Sequence, residues 1–280
     1  MKIVIALLVC SGCASLVQAD IYSNYGGTAN PSAVGLSTGP VNSGGASAPA
    51  GSSWSEVQSS LGSLLGSLCS PGAEAFPGSG IPLVGRVADD FSVPAGVSWD
   101  VTRLSVFAYR AGFPANPSPV ASGTMTLWSG HPESGGSAVI ATGTFGGASD
   151  TSIYRISHGG ADLDRLVRQV DFTFSGVTLT AGTYWMEYQL FSTDGGPLIV
   201  PPITVVQPGG PDNCVTGSPS EIQETFPSIP FSRPWRSIID PNTSLAYDLP
   251  FIVDGSVVPA PSASVGLGVA CVAAMARRRR

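Results

Sequence analysis

The 280-residue chain contains one lysine, Lys2, and two histidines, His131 and His158. With no lysine after the second residue, the body has no means of Schiff-base chemistry and no lysine general base. Charged residues make up only 11% of the chain, and four of its thirteen basic residues are the last four. The stretch from Asp20 to Ala276 therefore holds eight arginines against nineteen acids, a net charge near −11. Such a body offers no basic face to a phosphate backbone, which argues against nucleic acid as a partner. The histidines fit no metal-ligand spacing of the H-E-x-x-H kind, and no G-x-S-x-G nucleophile elbow occurs around a strand-to-helix turn. Both read as surface-loop residues. Helical periodicity is almost as scarce.

Turn residues and short apolar runs are abundant. The chain has 35 glycines and 24 prolines, with 43% hydrophobic residues, enough to bury a core. From Trp99 to Tyr109 apolar residues alternate, with Val101, Arg103, Ser105 and Phe107 on one face and Thr102, Leu104, Val106 and Ala108 on the other. Further strands are expected over 123–128, 137–144, 151–157, 166–174, 183–191, 198–205, 225–237 and 245–257. Many short strands with Gly/Pro turns predict an all-β, antiparallel, jelly-roll-like sandwich over 86–257. Before it, residues 20–85 are rich in Gly and Ser, and 26–53 read as loop or arm. One stretch there repeats at three and four: Trp54, Val57, Leu61, Leu64, Leu65 and Leu68, with Ser53 and Glu56 as a capping box. It predicts a short amphipathic helix over 54–68 covering one end of the domain.

The two ends carry addresses. Met1-Lys2, the apolar run 3–9 and the small-x-small site Val17-Gln18-Ala19 form a signal peptide, 1–19, cut by signal peptidase so that the exported chain begins at Asp20. The competing arrangement is a lipoprotein signal acylated at Cys13. Export leaves Cys69 and Cys214, which either pair as a disulfide or stay as loop thiols, since Cys271 lies in the tail. The tail, 258–280, has a Pro-bracketed motif, a charge-free run over 262–276, and Arg277, Arg278, Arg279 and Arg280. Fifteen residues span a bilayer only marginally, and the arginines stay cytoplasmic.

This tail resembles the PEP-CTERM sorting signal of Gram-negative bacteria, whose pattern is Val-Pro-Glu-Pro, a short hydrophobic helix and terminal arginines. Val258, Pro259 and Pro261 match; Ala260 stands where the pattern has its acid, as in planctomycete-like tails. The resemblance implies export, a transient inner-membrane anchor, cleavage by an exosortase-like protease and delivery to the cell surface or matrix. The body, too, resembles secreted bacterial β-sandwich proteins of uncharacterised function. The shared features are Asp89-Asp90-Phe91, Val93-Pro94-Ala95-Gly96, Phe107-Ala108-Tyr109, Trp128 to Pro132, Thr178 to Trp185 and the closing stretch Leu249 to Val257. That resemblance implies a fold and an extracellular setting, and no activity.

The remaining chemistry is carboxylates and aromatics. A glycosidase needs two carboxyl groups; Asp89-Asp90, Asp162, Asp164, Asp171 and Glu187 are the candidates. Glu187 shares a strand face with Trp185, a pattern suited to a sugar: an aromatic platform with an acid for hydroxyls. Trp235, between Arg233 and Arg236, is the candidate for an exposed platform, while Trp99, Trp128 and Trp185 read as core or rim. Asp89-Asp90 reads as a turn or as ligands of a structural calcium; no other cofactor is expected. The expectation is a non-enzymatic, surface-sorted structural or adhesive protein. A carbohydrate-binding module contacting polysaccharide through Trp185, Glu187 and Trp235 is the alternative, and an exported glycoside hydrolase the more distant one.

Overall fold

The computed structural model describes residues 19–24, 35–57, 73–74, 84–113, 115–157, 159–204, 220–226, 231–232, 234–239, 246 and 248–259. Residues 1–18 of the expected signal peptide, residues 58–68 of the expected helix, Cys69, Cys214, His158 and the tail from Ala260 lie outside these residues. Among the described residues there are fourteen strands, beginning with β1 (Ala19–Ser23), β2 (Ser53–Val57), β3 (Ala73–Glu74), β4 (Val84–Val93), β5 (Val97–Ala108), β6 (Val120–Trp128) and β7 (Val139–Ser157). They continue with β8 (Leu166–Leu179), β9 (Gly182–Ser192), β10 (Ile199–Val200), β11 (Glu221–Phe226), β12 (Phe231–Ser232), β13 (Arg236–Ser237) and β14 (Phe251–Pro259).

Twelve strands form one curled sheet in the order β1-β14-β5-β8-β7-β6-β9-β4-β11-β12, with β13 beside β11 and β2 beside β7; β3 and β10 pair separately. All pairings are antiparallel except that of β2 with β7. The curl follows from β7. Its first part pairs with β6, its middle with β8, and its last residues with β2, so one strand crosses from one half of the sheet to the other. The antiparallel pairs nest: β6 with β7 inside β5 with β8 inside β4 with β9. The two halves close on one core containing Val87, Phe91, Leu104, Val106, Met125, Phe172, Met186, Tyr188, Phe251 and Val253. Phe91 of β4 stacks on Trp99 of β5, centroids 6.0 Å apart and 8° from parallel, and meets Phe251 of β14 at 6.1 Å. Each such ring removes apolar area worth about 1.5–3 kcal/mol. Gly123 on β6 lies beneath the Phe172 ring, where a Cβ would sit 2.7 Å from Cζ.

Period two alone misplaces one residue. Val101 belongs to the main core with Leu104, Val106 and Ala108, not to the face of Arg103, Ser105 and Phe107. A bulge between Val101 and Arg103 resets the alternation. Opposite it, β14 is irregular between Asp254 and Gly255, and a Cβ on Gly255 would lie 2.0 Å from the Asp100 carbonyl oxygen.

Three boundary expectations also change. The runs 137–144 and 151–157 are one strand, β7; 198–205 contracts to β10; and 225–237 resolves into β11, β12 and β13. The closing strand continues beyond Val257: Val258 and Pro259 pair with Ser98 and Val97.

The helix expected over 54–68 does not begin there. Trp54 to Val57 belong to β2, and both capping residues are otherwise engaged. The Ser53 hydroxyl accepts from Ser37 at 2.8 Å; the Glu56 carboxylate accepts the amides of Ser43 at 2.9 Å and Gly159 at 2.7 Å. Trp54 is 1% exposed, its indole N–H donating to the Ala46 carbonyl at 3.0 Å. Tertiary pairing with β7 outweighs the local helical signal. In this way residues 35–57 pack on the chain. Leu36 joins Phe107, Tyr109, Ile153, Val167 and Ile252 in a second cluster behind β5, β8 and β14.

Candidate binding site on the outer face of β4, β9 and β6

Strand alternation creates the site. On β9, Met186 and Tyr188 enter the core, so Trp185 and Glu187 face outward. On β6, Trp128 stands directly opposite Trp185. On β4, Val87 and Phe91 point inward and Arg86 outward, with Ala88 opposite Glu187. β11 then places Gln223 opposite Arg86. The loop after β6 adds His131 and Glu133, and Trp235 approaches from the segment before β13.

The groups interlock. Arg86 forms an ion pair with Glu187 Oε1 and donates to Gln223 Oε1. The Trp128 indole N–H donates to Glu187 Oε2 at 3.0 Å. Glu133 Oε1 accepts from Gln223 Nε2 and from the Trp235 amide, both at 3.2 Å. The backbone N–H of Glu133 donates to His131 Nδ1 at 3.1 Å, so Nε2 holds the proton shared with Glu221 Oε2 at 2.8 Å. The His131 ring stands edge-on to Trp185 at 4.6 Å and to Trp235 at 6.4 Å, and Arg86 lies 5.8 Å from the Trp235 centroid.

Thus the three residues proposed from the sequence, Trp185, Glu187 and Trp235, surround one spot, but in different roles. Trp235 is not an exposed platform: it is 9% exposed and underlies the site. Trp185 and Trp128 are half-buried and keep ring surface open, beside the exposed Glu133. Glu187 is 7% exposed, with both oxygens engaged by a cation and an indole. With both oxygens already accepting from neighbours, Glu187 is not placed to serve a glycosidic oxygen, which disfavours a glycosidase acid in this position.

The other acids are scattered. Asp89 and Asp90 are in β4, not in a turn, and adjacent strand residues point to opposite faces, so the pair does not converge on one calcium ion. Among the described residues no group of three or more His, Cys, Asp or Glu is arranged to hold a metal. Asp89 faces inward, where its Oδ2 accepts from Ser220 at 2.8 Å and its Oδ1 accepts the Asp90 amide at 2.8 Å. Asp248, bonded to Asn24 at 2.8 Å, is its neighbour. Burial, then the Asp248 charge, hold the Asp89 carboxyl well above its ordinary range; burial also raises Asp248. Burial and the same acids push the Tyr22 phenol to about 12. Asp171 sits in a third cluster with Arg103 and Asp254. Asp164, exposed, accepts the Gly112 amide at 3.1 Å.

Arg86, His131, Glu221 and Gln223 were not legible as site residues. His131 carried only the signal of an aromatic-adjacent loop, and nothing local tells that β11 lies beside β4. No protein-family model matches the chain, and no characterised protein matches it.

Proposed function

We propose that the chain is an exported, non-enzymatic β-sandwich protein that acts at the cell surface or in the extracellular matrix by adhering to polysaccharide. The leader 1–19 and the tripartite tail support export and sorting through an inner-membrane anchor. The nested strand pairs are the wiring expected of a jelly-roll. Because Val258 and Pro259 are strand residues, sorting cleavage would act from Ala260 onward, leaving the domain intact.

The observation that carries the binding role is the pairing of Trp128 with Trp185 on one outer face, with His131 and the ion-paired Glu187 fixed beside them. Aromatic faces supply apolar contact with the C–H surface of a sugar ring, and the polar rim orients its hydroxyls. Neutral polysaccharide is the favoured class, since Arg86 is already neutralised by Glu187. Retention on immobilised polysaccharides, with Trp185→Ala and Trp128→Ala, tests the site: each change should lower retention about tenfold or more. Absence of binding to any glycan, with normal surface localisation, would leave only a structural role. Glycan cleavage that disappears in Glu187→Gln would overturn the non-enzymatic assignment. Mass spectrometry of the exported protein should give a chain that starts at Asp20 and lacks the arginine tail; an intact Arg280 would sink the sorting claim.

A further inference from the structure

We infer that cutting the chain between Ala19 and Asp20 installs a structural cation: the new α-ammonium of Asp20 joins Arg103 as a second counter-ion to the Asp254 and Asp20 carboxyl groups. The inference rests on the proposed export of a chain beginning at Asp20. In the cut, water adds across the Ala19–Asp20 amide; the carboxylate leaves on Ala19 and the ammonium stays on Asp20.

The register provides the geometry. β1 pairs with β14, placing Ala19 opposite Gly255 and Asp20 opposite Asp254. Residues directly opposite on antiparallel strands have Cβ atoms about 4.5–5.5 Å apart. The Asp20 and Asp254 side chains meet, so an ammonium one bond from the Asp20 Cα would form beside that carboxyl pair.

Asp254 needs such a partner. It is 1% exposed. Its Oδ2 receives Arg103 Nε at 2.5 Å; its buried Oδ1 receives no N–H or hydroxyl donor, and the other side chain Asp254 meets is the Asp20 carboxyl. Arg103 is shared, since its Nη1 also lies 3.5 Å from Asp171 Oδ2. The other Asp171 oxygen accepts from Ser105 at 2.7 Å and Gln169 at 2.9 Å. The charged groups around the Asp254–Arg103 pair are Asp20 from β1, Arg103 from β5 and Asp171 from β8. Three carboxylates thus share one guanidinium before the cut. Burial, reinforced by Asp20, holds Asp254 at about 6. Two carboxyl groups held together in a buried place are costly to ionise, and a further cation beside them lowers that cost.

The expected linkage is definite. An α-amine facing carboxylates is held above its ordinary value of about 7.7–8.0. Its contribution is complete below that value and is lost as pH rises through the raised folded value. The same cation pulls the Asp254 titration down from about 6.

The missing lysines make the test selective. Lys2 leaves with the leader, so the α-amine is the only primary amine of the exported chain. Reductive ¹³C-methylation would label it alone and keep its charge, and an NMR titration would then read its pKa. The expected result is an upward shift of about half a pH unit or more relative to an ordinary α-amine, abolished in Asp254→Asn. Acetylation of the same amine should lower Tm near pH 7 in the otherwise unaltered protein. An ordinary amine pKa, or a Tm unmoved by acetylation, would overturn the inference. The mass of the exported chain separates the two layers. Another first residue overturns the processing site and this inference with it; a start at Asp20 with an ordinary amine pKa overturns this inference alone.

Discussion

The ribbon formed by β4 and β9 has two faces that treat carboxylates in opposite ways. Outside, Glu187 meets Arg86 and an indole N–H, with side-chain exposures of 8% for the acid and 39% for the cation. Inside, Asp89 meets Asp248, Ser220 and a backbone amide, with no cation in hydrogen-bond contact among the described residues. A carboxylate that accepts from a guanidinium and an indole N–H at a wet rim orients its neighbours. Two carboxyl groups in contact in a core do not both ionise, so the inner pair retains a proton. That proton ties β4 to the segments entering β11 and β14, because Ser220 also accepts the Leu249 amide at 2.9 Å. The inner face therefore helps hold the fold together, and the outer face carries the proposed binding site.

Breaking the inner face should have the largest effect. Phe91→Ala removes a ring that contacts Trp99, Tyr22, Tyr184 and Phe251. It should cost about 3–5 kcal/mol in denaturant unfolding. Next is the pH response of the Asp89–Asp248 pair. Its folded titration is raised, so the folded state keeps a proton that the unfolded chain releases near pH 4. Stability should be fullest at low pH and fall as pH rises towards the folded value, by at most about 1.4 kcal/mol per pH unit for that one proton. Asp89→Asn should flatten this slope; an unchanged slope in thermal unfolding would dissolve the distinction between the faces. A smaller effect is expected outside. Arg86→Ala strands Glu187 and should cost about 1–2 kcal/mol, less than a fully buried pair because Arg86 is partly solvated. A double-mutant cycle with Glu187→Ala reads the coupling. Glu133→Ala, at the exposed rim, should change stability by no more than about 0.5 kcal/mol while lowering polysaccharide retention.

Much of the sheet was legible residue by residue. Thr183 to Phe191 alternate, which put Trp185 and Glu187 on one face, and β9 keeps that arrangement. The same logic failed at Val101, where a bulge intervenes, and at Trp54, where periodicity at three and four coincided with a parallel strand partner a hundred residues away. Trp235 illustrates the limit for the site. Its neighbouring prolines and arginines suggested exposure, yet its burial depends on the Glu133 loop and on Arg86, each supplied from a distant part of the chain.

By itself the sequence determined the charge balance, the absence of lysine after Lys2 and the period-two pattern that makes an antiparallel sheet. These are properties of composition and of neighbouring residues. Only the tertiary structure decided that β11 lies beside β4, that Trp128 stands opposite Trp185, that Trp235 is covered and that Asp20 faces Asp254. Backbone hydrogen bonds are the same for every residue and carry no address. The choice of neighbour and register is made by side chains far apart in the chain that bury apolar surface or satisfy charge together.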